Sequence, residues 1–179
     1  FSDVNDTVAN TEGLEHKMTV QVHEVALGQH HGSIKFKPKN QEKYRGDSRF
    51  KRDPTDGKLY MTFGAGPEKG TLVSNLNRDK DFEQTNKILE TLPVVSEDRE
   101  DEVFQRLVQL DSNYADNLEY DLLPNPSRVK VPRVNMPGDS YNSNSYWKGL
   151  LNSADISVPE IEVTMPGQNK PIPNEYFRE

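Results

Sequence analysis

Asp139-Ser140-Tyr141-Asn142-Ser143-Asn144-Ser145-Tyr146-Trp147-Lys148-Gly149-Leu150-Leu151-Asn152-Ser153-Ala154 reads as a polar turn running into a short apolar helix. Tyr146, Trp147, Leu150, Leu151 and Ala154 recur at three- and four-residue spacing, which sets them on one face of an α-helix. Gly149 weakens the helix, but a small residue there lets another backbone come close. Asp139, Ser140, Asn142 and Ser143 are all N-cap types. Ser143 stands four residues before Trp147 and seven before Leu150, so it falls on the buried face at the helix start. A hydroxyl there meets unpaired N–H groups and the positive end of the helix dipole. It either caps the helix or belongs to a site where those groups stabilise developing negative charge.

Working outward from this helix, the preceding chain supplies strands. Met18 to Ala26, with Val20, Val22 and Val25, reads as one strand, and His30 to Phe36 as its hairpin partner. Leu59 to Gly64 and Thr71 to Leu76 read as a third and a fourth. The Gly64-Ala65-Gly66-Pro67 stretch between them reads as a turn, and it is not a phosphate loop because no Gly-Lys-Ser/Thr follows. Lys39 to Gly57, rich in Lys, Arg and Asp, is expected to be a solvated loop, with a substrate-covering role as the alternative.

Asp79 to Val95 fits either a helix or an extended connection. Ser96 is the expected cap of a clearer helix, whose buried face is Val103, Phe104, Leu107, Leu110 and Tyr114. Glu97, Asp98, Glu100 and Asp101 fall consecutively in its first turn. That is the pattern of a solvated, dipole-matched terminus rather than a metal site. Leu118 to Leu123 reads as a strand or extended segment, and Val158 to Met165 as an edge strand. The resulting order predicts an α+β fold, with a mostly antiparallel sheet packed against the short Ser143 helix and a second, longer helix. The predicted organisation is an N-terminal arm over 1–16, one domain over 17–165, and an extended Pro-containing tail over 166–179.

Bulk properties narrow the function classes. The 179 residues suit one domain. A net charge of −7 and a pI near 5.2 argue against non-specific nucleic-acid binding. Hydrophobic residues are 32 % and mean hydropathy is −0.88, and no stretch approaches the apolar length of a membrane span. The chain has no cysteine, which removes disulfides, thiolate catalysis and cysteine metal sites from it as it stands. It begins with Phe and is expected to be a domain or fragment of a longer polypeptide.

A hydroxyl becomes a nucleophile only with a base, usually histidine. The four histidines are His16, His23, His30 and His31. His16 falls in the polar arm, and the parity of His23 opposes Val20 and Val22, which places it on the solvent face. His30 and His31 open the second strand and point to opposite faces, so one of them faces the side that receives the helix. As a metal site the adjacent pair is poor, since strand neighbours diverge and no third ligand is evident.

His31-Gly32-Ser33-Ile34-Lys35 resembles the His-small-Ser-Ile-Arg strand of circularly permuted papain-like hydrolases. Tyr141-Asn142-Ser143-Asn144-Ser145-Tyr146 resembles the Asn-Cys-Asn-Thr/Ser-Phe helix start of the same group, with Ser143 at the Cys position. That group includes bacterial cell-wall peptidases, lecithin:retinol acyltransferase-like enzymes and deubiquitinase-like peptidases, and similar domains end some secreted bacterial toxins. The chain order, histidine strand before nucleophile helix, is that of the permuted members. The resemblance implies hydrolysis of an amide or ester bond, an amide of peptidoglycan peptide first among them. Ser143 would be the nucleophile, His31 the base, and the helix start at Asn142, Ser143 and Asn144 the oxyanion support.

The resemblance further implies no metal and no cofactor, delivery into a target cell or periplasm as part of a longer polypeptide, and a neutralising immunity protein as partner. A third, orienting residue is expected on the strand Leu59 to Gly64, where Tyr60 and Thr62 share a face. Serine at the Cys position leaves three readings: a natural serine nucleophile, an inactivating Cys→Ser replacement, or an inactive relative that only binds. A non-papain α+β domain with coincidental motifs is the remaining alternative.

Overall fold

The computed structural model describes residues 18–24, 30–54, 56–82, 87–91, 99–121, 140–156 and 165–178. Eight strands lie among them: β1 (Met18–Glu24), β2 (His30–Phe36), β3 (Lys51–Arg52), β4 (Leu59–Glu68), β5 (Thr71–Leu76), β6 (Lys87–Thr91), β7 (Leu118–Tyr120) and β8 (Ser140–Tyr141). The helices are α1 (Asp79–Phe82), α2 (Glu100–Asn113) and α3 (Ser143–Ser153). The sheet order is β6-β1-β2-β4-β5-β7-β8, with β3 paired to β4 outside this path. Every pairing is antiparallel except β7 with β8. The fold is therefore α+β with a mostly antiparallel sheet.

Alternation along the strands sets the core. Ile34 and Phe36 of β2, Met61, Phe63 and Ala65 of β4, and Val20 and Val22 of β1 are buried with Phe104 and Leu107 of α2 and Tyr146, Trp147, Leu150 and Leu151 of α3. The Phe36 and Phe104 rings stack with centroids 4.8 Å apart. Gly149 has the role expected of it. A Cβ there would lie 2.6 Å from the Ile172 carbonyl oxygen and 2.9 Å from its nitrogen.

Several expectations are corrected. The Gly64–Pro67 stretch is not a turn: β4 runs through it and pairs with β5 as far as Glu68↔Thr71, and Lys69 and Gly70, both at positive φ, make the turn. Missing side chains at Gly64 and Gly66 leave room for Asp81 and Arg78 to lie on the strand, which is why glycine serves here without a turn.

The 39–57 segment is largely solvent-exposed, as expected, and it is also anchored. Tyr44 and Phe50 are buried against Phe36 and Phe104, and Tyr44 Oη donates to Asp101 Oδ1 at 2.7 Å. Two of the acidic residues at the α2 start hold this segment. Glu100 is buried and accepts from the N–H groups of Lys39 and Asn40 at 2.8 and 2.9 Å. The aromatic anchors of the segment pack at the Phe36 end of β2, roughly 17 Å of strand from His31.

Between 79 and 95 the described residues form both a helical turn, α1, and a strand, β6. Residues 165–178 pack on α3, with Met165, Ile172 and Phe177 buried. The expected cap at Ser96 is corrected: α2 begins at Glu100, with Arg99 at its N-cap position and no side-chain cap bond there. The expected arm over 1–16 and most of the Val158 to Met165 strand lie outside the described residues.

Candidate active site

Ser143 opens α3 but does not cap it. Asn142, in extended conformation, is the N-cap: its Oδ1 accepts from the N–H groups of Asn144 and Ser145 at 3.0 and 3.1 Å. Ser145 Oγ accepts in return from the Asn142 N–H at 3.3 Å, which completes a capping box. With the cap supplied by its neighbour, the Ser143 hydroxyl is released for another contact. It meets His31 Nδ1, 112 residues earlier in the chain, in a hydrogen bond. With the ring proton on Nε2, the hydroxyl donates to Nδ1, the arrangement of a nucleophile and its base.

The reach of His31 follows from how α3 meets the sheet. On β2, Gly32, Ile34 and Phe36 face the helices: a Cβ at Gly32 would strike the Trp147 indole at 2.5 Å. His31 has the opposite parity, shared with Ser33 and Lys35. The β2–β4 pairs run Ile34↔Phe63, Lys35↔Thr62 and Phe36↔Met61. Beyond Ile34, the side chain of Asn144 takes the place of a strand. Its Oδ1 accepts from the Gly32 N–H at 2.8 Å, and its Nδ2 donates to the His30 carbonyl at 2.9 Å. The start of α3 therefore sits at the edge of β2, not over its face, and the imidazole of the other parity is in reach.

All four hydrogen-bonding positions of the Asn144 amide are used, because Oδ1 also accepts from Trp147 Nε1 at 3.1 Å and Nδ2 also donates to the Pro166 carbonyl at 2.9 Å. Asn142 Nδ2 donates to that same carbonyl. Gly167 follows at φ +91, and a Cβ on it would lie 2.1 Å from Asn142 Oδ1. The Ile172 N–H donates to the Ser145 carbonyl at 3.0 Å. Residues 165–172 thus back the helix start, a role that sequence reasoning missed. The signal for it was the pair of asparagines flanking Ser143 together with Gly167 after Pro166.

Of the N–H groups considered as oxyanion donors, that of Asn144 is taken by the Asn142 side chain. The Ser143 N–H has no acceptor among the described residues, and it is the donor the helix start leaves available. The side chains of Asn142 and Asn144 support the helix start. Thr62 does not orient His31: it pairs with Lys35, about 13 Å of strand away, and its Oγ1 has no hydrogen-bond partner among the described residues. Tyr60 lies beyond it, under the Lys35 ammonium at 4.6 Å.

In register, His23 lies opposite His31 on β1. Among the described residues no group of three His, Asp or Glu could hold a metal ion, and no helix is long and apolar enough to cross a membrane. Fold and site define an α+β domain carrying a serine–histidine pair at a helix start. Compared with known proteins, the chain matches no family model, no curated sequence and no solved structure.

Proposed function

We propose that this domain is a hydrolase of amide or ester bonds, of the permuted papain-like type, working through a Ser143 nucleophile. The observation that carries the reading is the hydrogen bond between Ser143 Oγ and His31 Nδ1, made between a helix start and a strand 112 residues away. A helix cap needs no such partner, and here the cap is Asn142.

In the proposed reaction, Ser143 Oγ attacks the carbonyl carbon while His31 Nδ1 takes the hydroxyl proton. The carbonyl oxygen gathers the negative charge beside the Ser143 N–H and the positive end of α3. As the tetrahedral species collapses, the C–N or C–O bond breaks and His31 delivers its proton to the departing nitrogen or oxygen. Water then attacks the acyl-serine by the same route, giving the carboxylic acid and restoring the hydroxyl. The resemblance of the two motifs favours peptidoglycan peptide as substrate. It also favours delivery as a toxin-type effector within a longer polypeptide, restrained by an immunity protein.

The test is cleavage of cell-wall peptides and of simple acyl esters, followed by mass spectrometry. Ser143→Ala and His31→Ala should each reduce turnover by roughly a thousandfold or more, since the nucleophile and base act as a unit. Turnover that survives both substitutions unchanged refutes the assignment.

A further inference from the structure

Arg78 is a cation on the sheet face that carries His31, with much of its donor capacity unspent. It precedes α1 and lies on β4 where Gly64 and Gly66 leave the strand face bare. A Cβ at Gly66 would stand 2.4 Å from Arg78 Nη2, and one at Gly64 would stand 3.5 Å from its Cδ. This face is the His31 face: Thr62 of β4 pairs with Lys35, and Gly64 and Gly66 continue the parity of Thr62 as Ser33 and His31 continue that of Lys35. Gln21 Nε2 ties α1 down over the same face. It donates to Ser33 Oγ at 2.7 Å and to the Asp81 carbonyl at 2.9 Å.

The other flank points the same way. The Tyr120 phenol is raised by burial and by Asp121, and the Arg78 charge offsets this only in small part. Tyr120 pairs with Tyr141, two residues before Ser143. β2 carries His31 and β8 leads into Ser143, and in the sheet order β4, β5 and β7 lie between them. Arg78 lies on that intervening floor.

The guanidinium is only partly used. Nη1 donates to the Ala65 carbonyl at 2.7 Å, which fixes its position. The nearest carboxylate oxygen, Asp81 Oδ1, is 3.9 Å from Nη1, beyond hydrogen-bond reach. Nε and Nη2 donate to no described residue, and the side chain keeps 19 % of its exposure. A fixed, planar donor pair over bare glycine backbone is suited to a carboxylate, which it can bind with two parallel hydrogen bonds.

We infer that Arg78 is a substrate-recognition residue that binds a carboxylate carried near the scissile bond, so that the substrate is an acidic peptide. The inference rests on Ser143 and His31 marking the reaction centre. It gives an acidic protein a cationic site for an anionic substrate, on glycine positions that leave room for the guanidinium.

The test is binding rather than turnover, so it stands apart from the hydrolase assignment. Acetyl-alanyl-glutamate and its uncharged bis-amide are titrated into the chain carrying Ser143→Ala, by NMR. The acidic dipeptide should bind about tenfold tighter or more, and the Arg78 Nε–H resonance should move with it and not with the bis-amide. Arg78→Gln should abolish the preference, and Arg78→Lys should retain part of it. Equal binding of the two probes, or a still Arg78 resonance, overturns the inference. So does an intact preference in folded Arg78→Gln. Absence of any peptide hydrolysis would refute the proposed reaction and leave this result unaffected.

Discussion

Asn144 completes the backbone ladder of Gly32. Its side-chain oxygen accepts the Gly32 N–H at 2.8 Å where β4 has left β2. The residue after the candidate nucleophile is thereby bonded to the residue after the candidate base, and the Ser143–His31 approach is fixed by that tie. Asn144→Ala would leave the buried Gly32 N–H and Trp147 Nε1 without acceptors. Unsatisfied buried groups of this kind cost about 1–3 kcal/mol each. We expect a loss of about 2–4 kcal/mol in denaturant unfolding and a loss of any hydrolysis. Asn144→Asp should be no milder, because a carboxylate cannot donate to the carbonyls of His30 and Pro166 that Nδ2 now serves. Near-native stability for both variants would show that the ladder contact does not hold the helix start.

Gly149→Ala probes the other side of the same helix. Helix propensity alone predicts a gain of about 1 kcal/mol from the change. The added methyl would meet the Ile172 backbone at 2.6 and 2.9 Å, and a backbone segment cannot swing aside as a side-chain end can. The expected outcome is a net destabilisation of about 1–3 kcal/mol, the usual range for overpacking. Hydrogen exchange should rise selectively over 165–178, and a stabilised variant with unchanged exchange would sink this account of the glycine.

The helix start, its buried face and the close approach at Gly149 were legible because each rests on local rules of spacing and side-chain size. Histidine and serine were legible as a pair only through the motif resemblance, since nothing local to His31 says which face of the sheet a helix will reach. Parity alone would favour His30, which shares the side of Gly32 and Ile34. The strand-like use of Asn144 lets His31 prevail, and that is a tertiary event. The solvated character of 39–57 was legible in its charges, while its anchoring by two aromatic residues, Tyr44 and Phe50, was not. Gly64 and Gly66 misled. Glycine marks turns by default, and the side chains that need the space here, Arg78 and Asp81, come from a later element.

Asp111 of α2 and Tyr146 of α3 make a pH-dependent link between the helices. Tyr146 Oη donates to Asp111 Oδ1. Burial pushes the Asp111 carboxyl above its ordinary range, and the Tyr146 and Ser74 hydroxyls offset this only in part. For an acid whose folded pKa is raised, the native state holds its proton more tightly than the unfolded chain does. Stability is therefore greatest below the unfolded carboxylate value and falls as pH rises through the folded one. Asp111→Asn keeps an acceptor for Tyr146 and removes the titration, so it should be neutral or stabilising at pH 7 and flatten that part of the stability–pH curve. Asp111→Leu should instead cost about 1–3 kcal/mol by orphaning the Tyr146 hydroxyl. Urea midpoints from pH 4 to 8 decide it, and a parallel decline of wild type and Asp111→Asn across this range would rule the link out.

Ser143→Cys offers a test of the pair that needs no substrate. The chain has no cysteine, so the introduced thiol is its only one and every alkylation event reports on position 143. A free thiol ionises near pH 8.5, and both a helix start and a neighbouring imidazolium lower that value. The two effects separate with a second substitution. In Ser143→Cys alone, α3 and His31 act together, and the pH profile of iodoacetamide labelling should show an apparent pKa of about 7 or below. In Ser143→Cys with His31→Ala only the helix contribution remains, and the profile should return upward by about a unit or more. The sign is fixed by the contact: His31⁺ beside a thiolate favours the charged form of both, so removing it must raise the thiol. Superimposable profiles would mean that His31 does not act on position 143, and the serine would then be a buried hydroxyl at a helix start. A separation of the size expected would establish that this fold generates an activated nucleophile where Ser143 stands.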